Sequence, residues 1–140
     1  MNPRGEDGQS LIEAIILGLL FLVPVIWAIG VLADLHRSAL AATAAAREAG
    51  FEAARASSIG EANEAIAKAV SEAFANHGLE PGSTEVDVSM SGLDRGGAIE
   101  VQIGFPVTVL QAPLLGRVAG PSIWVNAGHV TMIDPYRSRD

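Results

Sequence analysis

The hydrophobic pattern changes its period along the chain, and each change predicts a different element. Residues 14–33, AIILGLLFLVPVIWAIGVLA, contain no charged side chain, and their apolar positions fall on every side of a helix rather than on one stripe. Twenty such residues at about 1.5 Å each span about 30 Å, the thickness of a bilayer's hydrocarbon core, so a transmembrane helix is expected. Pro24 lies mid-segment and is expected to kink that helix, a feature membranes tolerate. Residues 34–56 are expected to continue it, because ten of the nineteen residues from Ser38 onward are alanine, the best helix former. Glu52 and Arg55, three apart, are placed to pair on its surface. The small side chains suit either a plain helical stalk or close packing of helices in an assembly, and both readings stay open.

After Ser57 and Ser58 the period becomes that of an amphipathic helix. Ser58-Ile59-Gly60-Glu61 reads as a capping box, and Ile59, Ala62, Ile66, Val70, Ala73 and Phe74 recur at spacings of three and four as a core stripe. Glu64 and Lys68 are spaced for an i,i+4 pair. Gly78 is expected to stop the helix and Pro81-Gly82 to turn the chain. The period then drops to two. Val86, Val88 and Met90 alternate with Asp87 and Ser89. Beyond a glycine-rich hairpin turn at residues 92–97, Ile99, Val101, Ile103, Phe105, Val107 and Val109 face away from Glu100, Gln102 and Thr108. Pro106 has no N–H to give a ladder, so the second strand should bend or lie at an edge there. A loop over residues 111–121 leads to a third strand at 122–132. Its register is ambiguous, since Trp124, Val130 and Met132 share one parity while Ile123, Val125 and Ala127 share the other. The expected fold class is α+β: a long N-terminal transmembrane helix (9–33), its alanine-rich extension (34–57), and a small αβ domain (58–133). In that domain the second helix packs on an antiparallel sheet of about three strands, and residues 134–140 form a polar tail.

Composition narrows the function. The hydrophobic share is 49% but aromatics supply only 5%, so alanine and short aliphatics make the apolar surface, which favours closely packed helices. Net charge is −7, and the nine basic residues form no run, which argues against nucleic acid as a partner. With no cysteine in the chain, disulfides, thiol chemistry and zinc-thiolate sites are excluded. His36, His77 and His129 sit in three different elements without ligand-type neighbours at useful spacing, and each reads as a surface or cap residue. No nucleophile elbow, phosphate loop or dinucleotide fingerprint occurs. The sequence therefore offers no catalytic residue, metal site or cofactor, and no small-molecule substrate is expected.

What remains is the stretch before the apolar segment, Gly8-Gln9-Ser10-Leu11-Ile12-Glu13. One reading is local: Ser10 and Glu13 form a capping box, and a carboxylate suits the positive end of a helix dipole. A second reading uses the same residues for processing. A cut between Gly8 and Gln9 would create a charged α-amino group at Gln9, four residues from Glu13 on one helix face. Glu13 would then be a carboxylate at the rim of the bilayer, relieved by pairing with that ammonium in its own or a neighbouring subunit. A cleaved secretory signal is the rival for the whole segment, with Ala39-Leu40-Ala41 as its small-x-small site. Basic residues on both flanks (Arg4 before, Arg37 and Arg47 after) leave the orientation undecided by charge.

A glycine, four residues, then a glutamate at the mouth of an apolar helix resembles the class III signal of type IV prepilins. The run GQSLIEAIILGLLFLVPVIW followed by AATAAAREAGFEAAR is similar to the TadE-like pseudopilins of tight-adherence (Flp-type) pilus systems, with Ala14 standing where family members often carry an aromatic residue. The resemblance implies a leader of residues 1–8, cleavage by a prepilin peptidase between Gly8 and Gln9, and Glu13 as the helix-pairing glutamate at mature position five; it also allows methylation of Gln9. It further implies a pilin-like helix inserted in the bacterial cytoplasmic membrane with its N-terminus cytoplasmic. The αβ domain would lie outside, with other pilins as partners in a pilus or its assembly platform. Two other roles stay open: an uncleaved single-pass anchor carrying an accessory or binding domain, and a secreted binding module beginning near Ala42.

Overall fold

The computed structural model describes residues 6–109 and 120–136. Its elements follow in the order α1 (Glu6–Arg55), α2 (Ile59–Asn76), β1 (Glu85–Met90), β2 (Ala98–Thr108) and β3 (Ser122–Met132), an α+β fold. The chain divides into two compact units, one ending at Asp34 and the other beginning at Leu35. The first consists, among the described residues, of the N-terminal part of α1. It stays helical through Pro24, as the expected apolar span requires, although proline leaves one carbonyl of the preceding turn without its donor.

The second unit holds α2, the sheet and the C-terminal part of α1, and here the alanine-rich stretch finds its use. Ala41, Ala42, Ala45, Ala46, Ala49 and Ala53 are fully buried, and they join Ile66, Val70 and Phe74 of α2 and Ile99, Val101 and Ile103 of β2 in one core. These six alanines are more than a bare stalk: they form the close-packing face of this domain. A methyl group is the largest side chain that lets a helix axis lie so near its neighbours. Gly50 carries the principle furthest. A Cβ there would come within 2.6 Å of Thr131 Oγ1 on β3, a hydroxyl that is buried and finds no hydrogen-bond partner among the described residues. Gly50→Ala is therefore expected to lower stability by about 1–2 kcal/mol, because overpacking outweighs the helix propensity gained. In a Thr131→Ala background the same change should become neutral or stabilising. Thermal unfolding of the four variants of this cycle measures the coupling, and an equal cost of Gly50→Ala in both backgrounds would show that the close approach is not limiting.

Helix α2 begins and ends as its residues predict, with one shift in the cap. Ser58 is the N-cap and its hydroxyl accepts from the Glu61 N–H at 3.2 Å. The reciprocal arm reaches one residue further back than expected: the Glu61 carboxylate accepts from the Ser57 N–H at 2.8 Å and from the Ser57 hydroxyl. At the other end the Leu79 and Gly78 N–H groups bond to the Phe74 and Ala75 carbonyls, a Schellman turn in which Gly78 adopts φ +67°. Two expectations for α2 need correction. Ile59 is exposed rather than part of the core stripe, because it sits in the first turn at the margin of the packed face. Lys68 pairs with Glu72 at 3.8 Å rather than with Glu64; both are four residues away, and at an exposed site the preference between them is worth only a few tenths of a kcal/mol. Glu52 and Arg55 do pair, at 2.8 Å.

The sheet is antiparallel in the order β1-β2-β3, with Val101 opposite Val88 on one side and His129 on the other. Backbone bonds at its ends fix which way each residue's peptide groups point. The Ile133 N–H donates to the Gly97 carbonyl and the Val109 N–H to Pro121, so odd-numbered residues of β2 bond to β3; Ser91 donates to Ala98, so the even-numbered ones bond to β1. Pro106 thus faces the β1 side, where pairing has already ended at Glu85 and Gly104, and its missing N–H interrupts no ladder. The register of β3 is settled as well. Its odd-numbered residues, from Val125 to Thr131, face the helices, while Trp124, Val130 and Met132 face the opposite, open side.

Candidate functional site

The processing and anchoring residues singled out by sequence all lie on the first unit's helix. α1 is already helical at Glu6, so Ser10 stands one turn inside it and is not its N-cap. The capping-box reading of Ser10 and Glu13 fails for that reason, and the carboxylate at position 13 needs another explanation. Gln9 and Glu13 are exposed and one turn apart, separated by about 6 Å of helix rise. Among the described residues no cation lies within ion-pairing distance of Glu13. Gly8 is exposed too, and a Cβ added there would meet nothing within 4 Å.

Beyond Glu13 the helix shows apolar side chains on every side. Ile15, Ile16, Leu19 and Leu20 are each more than half exposed, Phe21 reaches 77%, and the pattern continues through Ile29 to Leu32. These residues cover all angular positions of a helix, so no single neighbouring face could bury them. α1 is the one helix among the described residues that is long and apolar enough to cross a membrane, and it is compatible with a single-pass anchor.

Among its described residues the second unit brings no reactive groups together. His36 is exposed, His77 is the C-cap of α2, and His129 lies half-buried on the inner side of β3 with its ring 5.5 Å from that of Phe51. Among the described residues no three metal-ligating side chains converge. A hollow of about 750 Å³ lies between α1 and α2, lined by Phe51, by the Glu52–Arg55 and Glu72–Lys68 pairs and by Glu48. A shallower one of about 390 Å³ on the open side of the sheet presents Glu85, Asp87, Gln102 and Asn126, which offer carboxylates and amides but no nucleophile. Sequence reading missed the outward stripe of Trp124, Val130 and Met132. Its signal was the double parity of β3, which marked a strand with apolar groups on both faces. In comparisons with known proteins, no family model, no curated protein and no solved structure matches the chain.

Proposed function

We propose that this chain is a non-enzymatic, single-pass membrane protein with a structural role: a TadE-like minor pseudopilin, trimmed between Gly8 and Gln9 by a prepilin peptidase and assembled with other pilins of a tight-adherence pilus. The observation that carries the reading is the helix of the first unit, apolar and exposed all round, with Glu13 at its mouth. Such a surface needs lipid or other helices around it. A carboxylate costs about 2.5–3.5 kcal/mol at the bilayer centre and less at the rim, and a cation beside it offsets that cost. Trimming at Gly8 supplies the cation, because the new α-ammonium of Gln9 lies one turn from Glu13 and within reach of a neighbouring helix. The domain that follows serves as a rigid head.

One observation favours a second reading, an uncleaved anchor carrying an accessory domain: the Gly8–Gln9 bond lies within α1, and helical backbone must unwind before a peptidase can grip it. The N-terminal residue of the protein isolated from its native membranes, read by intact and peptide mass spectrometry, decides between them. A start at Gln9 supports the pseudopilin; an intact N-terminus supports the anchor, and a start near Ala42 overturns both. Glu13→Leu is expected to leave membrane insertion intact and to reduce co-purification of partner pilins at least tenfold. Unchanged co-purification would refute the pairing role.

A further inference from the structure

The two edges of the sheet are built differently. β1 is six residues long and displays Glu85 and Asp87 on the open side, the kind of charge that discourages edge-to-edge pairing. β3 is eleven residues long and contains no proline, aspartate, glutamate, lysine or arginine. Because its odd-numbered residues bond to β2, the N–H and C=O groups of Trp124, Asn126, Gly128, Val130 and Met132 point away from the sheet, and among the described residues no strand pairs with them. The side chains of Trp124, Val130 and Met132 are 47, 56 and 78% exposed on the same strand. An edge that is long, uncharged and apolar is an open template for another strand.

We infer that β3 pairs with β3 of a second copy of this chain, antiparallel and centred on Ala127. The occupant follows from the strand's own sequence. A two-fold axis at Ala127 sets Ser122 against Met132, Trp124 against Val130 and Asn126 against Gly128, so the whole strand is paired with no overhang. Trp124 facing Val130 is an aromatic–β-branched pair, a favourable cross-strand combination, and it occurs twice. No charge meets a like charge. Self-pairing of β1 would gather the Asp87 carboxylates of both copies on one face near the middle of a six-residue strand, so the short edge is less suited to the role. On the helix side His129 would face Val125 of the second copy. Phe51, 43% exposed and leaning on His129, stands beside that contact and gains apolar cover. The interface is isologous and closed, leaving only the carboxylate-bearing β1 edges at the ends of a six-stranded sheet. This pairing does not depend on whether Gly8–Gln9 is cut.

The chain has no cysteine, which makes a register test clean. In the inferred pairing Ala127 faces itself at a position whose Cα atoms lie about 4.5 Å apart, within disulfide range. Two copies of Ile123 would be about 26 Å apart, eight residues along the strand. Full-length Ala127→Cys in membranes, oxidised with copper phenanthroline, is expected to give a disulfide-linked dimer at least tenfold more abundant than Ile123→Cys or Ser89→Cys gives. Equal yields at these positions, or no linked dimer from Ala127→Cys, would overturn the inference. The unmodified protein in mild detergent guards against a misfolded variant. Its mass by light scattering should be that of two chains, and Val130→Lys, which alters only an exposed side chain, should return it to one. A monomeric wild-type protein, or a dimer indifferent to Val130→Lys, would equally refute β3 pairing.

Discussion

Replacing Phe74 with alanine is expected to destabilise the second unit by about 3–5 kcal/mol, among the largest effects of any single substitution in this protein. Phe74 is fully buried on α2 and is the largest of the fully buried side chains among the described residues. Its ring packs against Phe105 of β2 with centroids 4.9 Å apart and planes tilted by 43°, which adds a specific aromatic contact to the area buried. What raises the cost is the company. The α1 side of this core is almost entirely alanine, and alanine has no rotamer with which to fill a vacated space. The cavity should therefore persist rather than collapse, which places the substitution high in the usual range. Phe105→Ala, at a half-buried position, should cost clearly less. Against a typical total of about 5–15 kcal/mol, losing Phe74 removes a large fraction of the margin. Urea unfolding in a Trp27→Phe background, where Trp124 is the sole tryptophan, isolates the sheet's transition from the N-terminal apolar helix. A loss below about 1 kcal/mol would show that the core repacks around the gap.

Much of the fold was legible because period and punctuation agreed. The alternation from Ile99 to Val107 gave β2 and its buried face, and Ser58 and Gly78 marked the neighbourhood of both ends of α2. Three features were not legible, each for a physical reason. The destination of the alanines is tertiary: the same residues suit a stalk, a bundle or a core, and only the position of α2 and the sheet decides. The capping-box reading of Ser10 and Glu13 fell because a capping box is a local signal, and it carries no weight when helix already precedes it. The partner of Lys68 was decided between two glutamates at equal spacing, where the energy difference is too small for sequence to resolve. For the candidate site the balance differs. Gly8, Gln9 and Glu13 were named from sequence and all lie exposed on one helix, but exposure alone does not tell a processing signal from a plain anchor.

On the pseudopilin reading proposed above, Gly8→Leu is expected to abolish trimming, lowering the fraction of chains that begin at Gln9 at least tenfold while leaving the fold and the membrane insertion unchanged. A substitution at a glycine is usually hard to interpret, because it can strain the backbone or collide with a neighbour. Neither applies here: Gly8 has no left-handed conformation to defend, and an added Cβ meets nothing within 4 Å at this exposed position. Leucine is also the better helix former by somewhat under 1 kcal/mol, so the segment should be at least as helical as before. Both consequences act against a peptidase, which must accommodate the residue before the cut and must unwind the turn that contains it. Gly18 supplies the control, since it too is exposed on α1 with open space around it. Gly18→Leu adds the same side chain ten residues beyond Gly8, inside the apolar segment, and should leave the mature N-terminus at Gln9. Mass spectrometry of the two variants from native membranes makes the comparison. Equal trimming of both would show that the peptidase does not read Gly8. Equal loss in both would mean that added bulk anywhere on the apolar helix blocks export, and that position 8 has no special part in it.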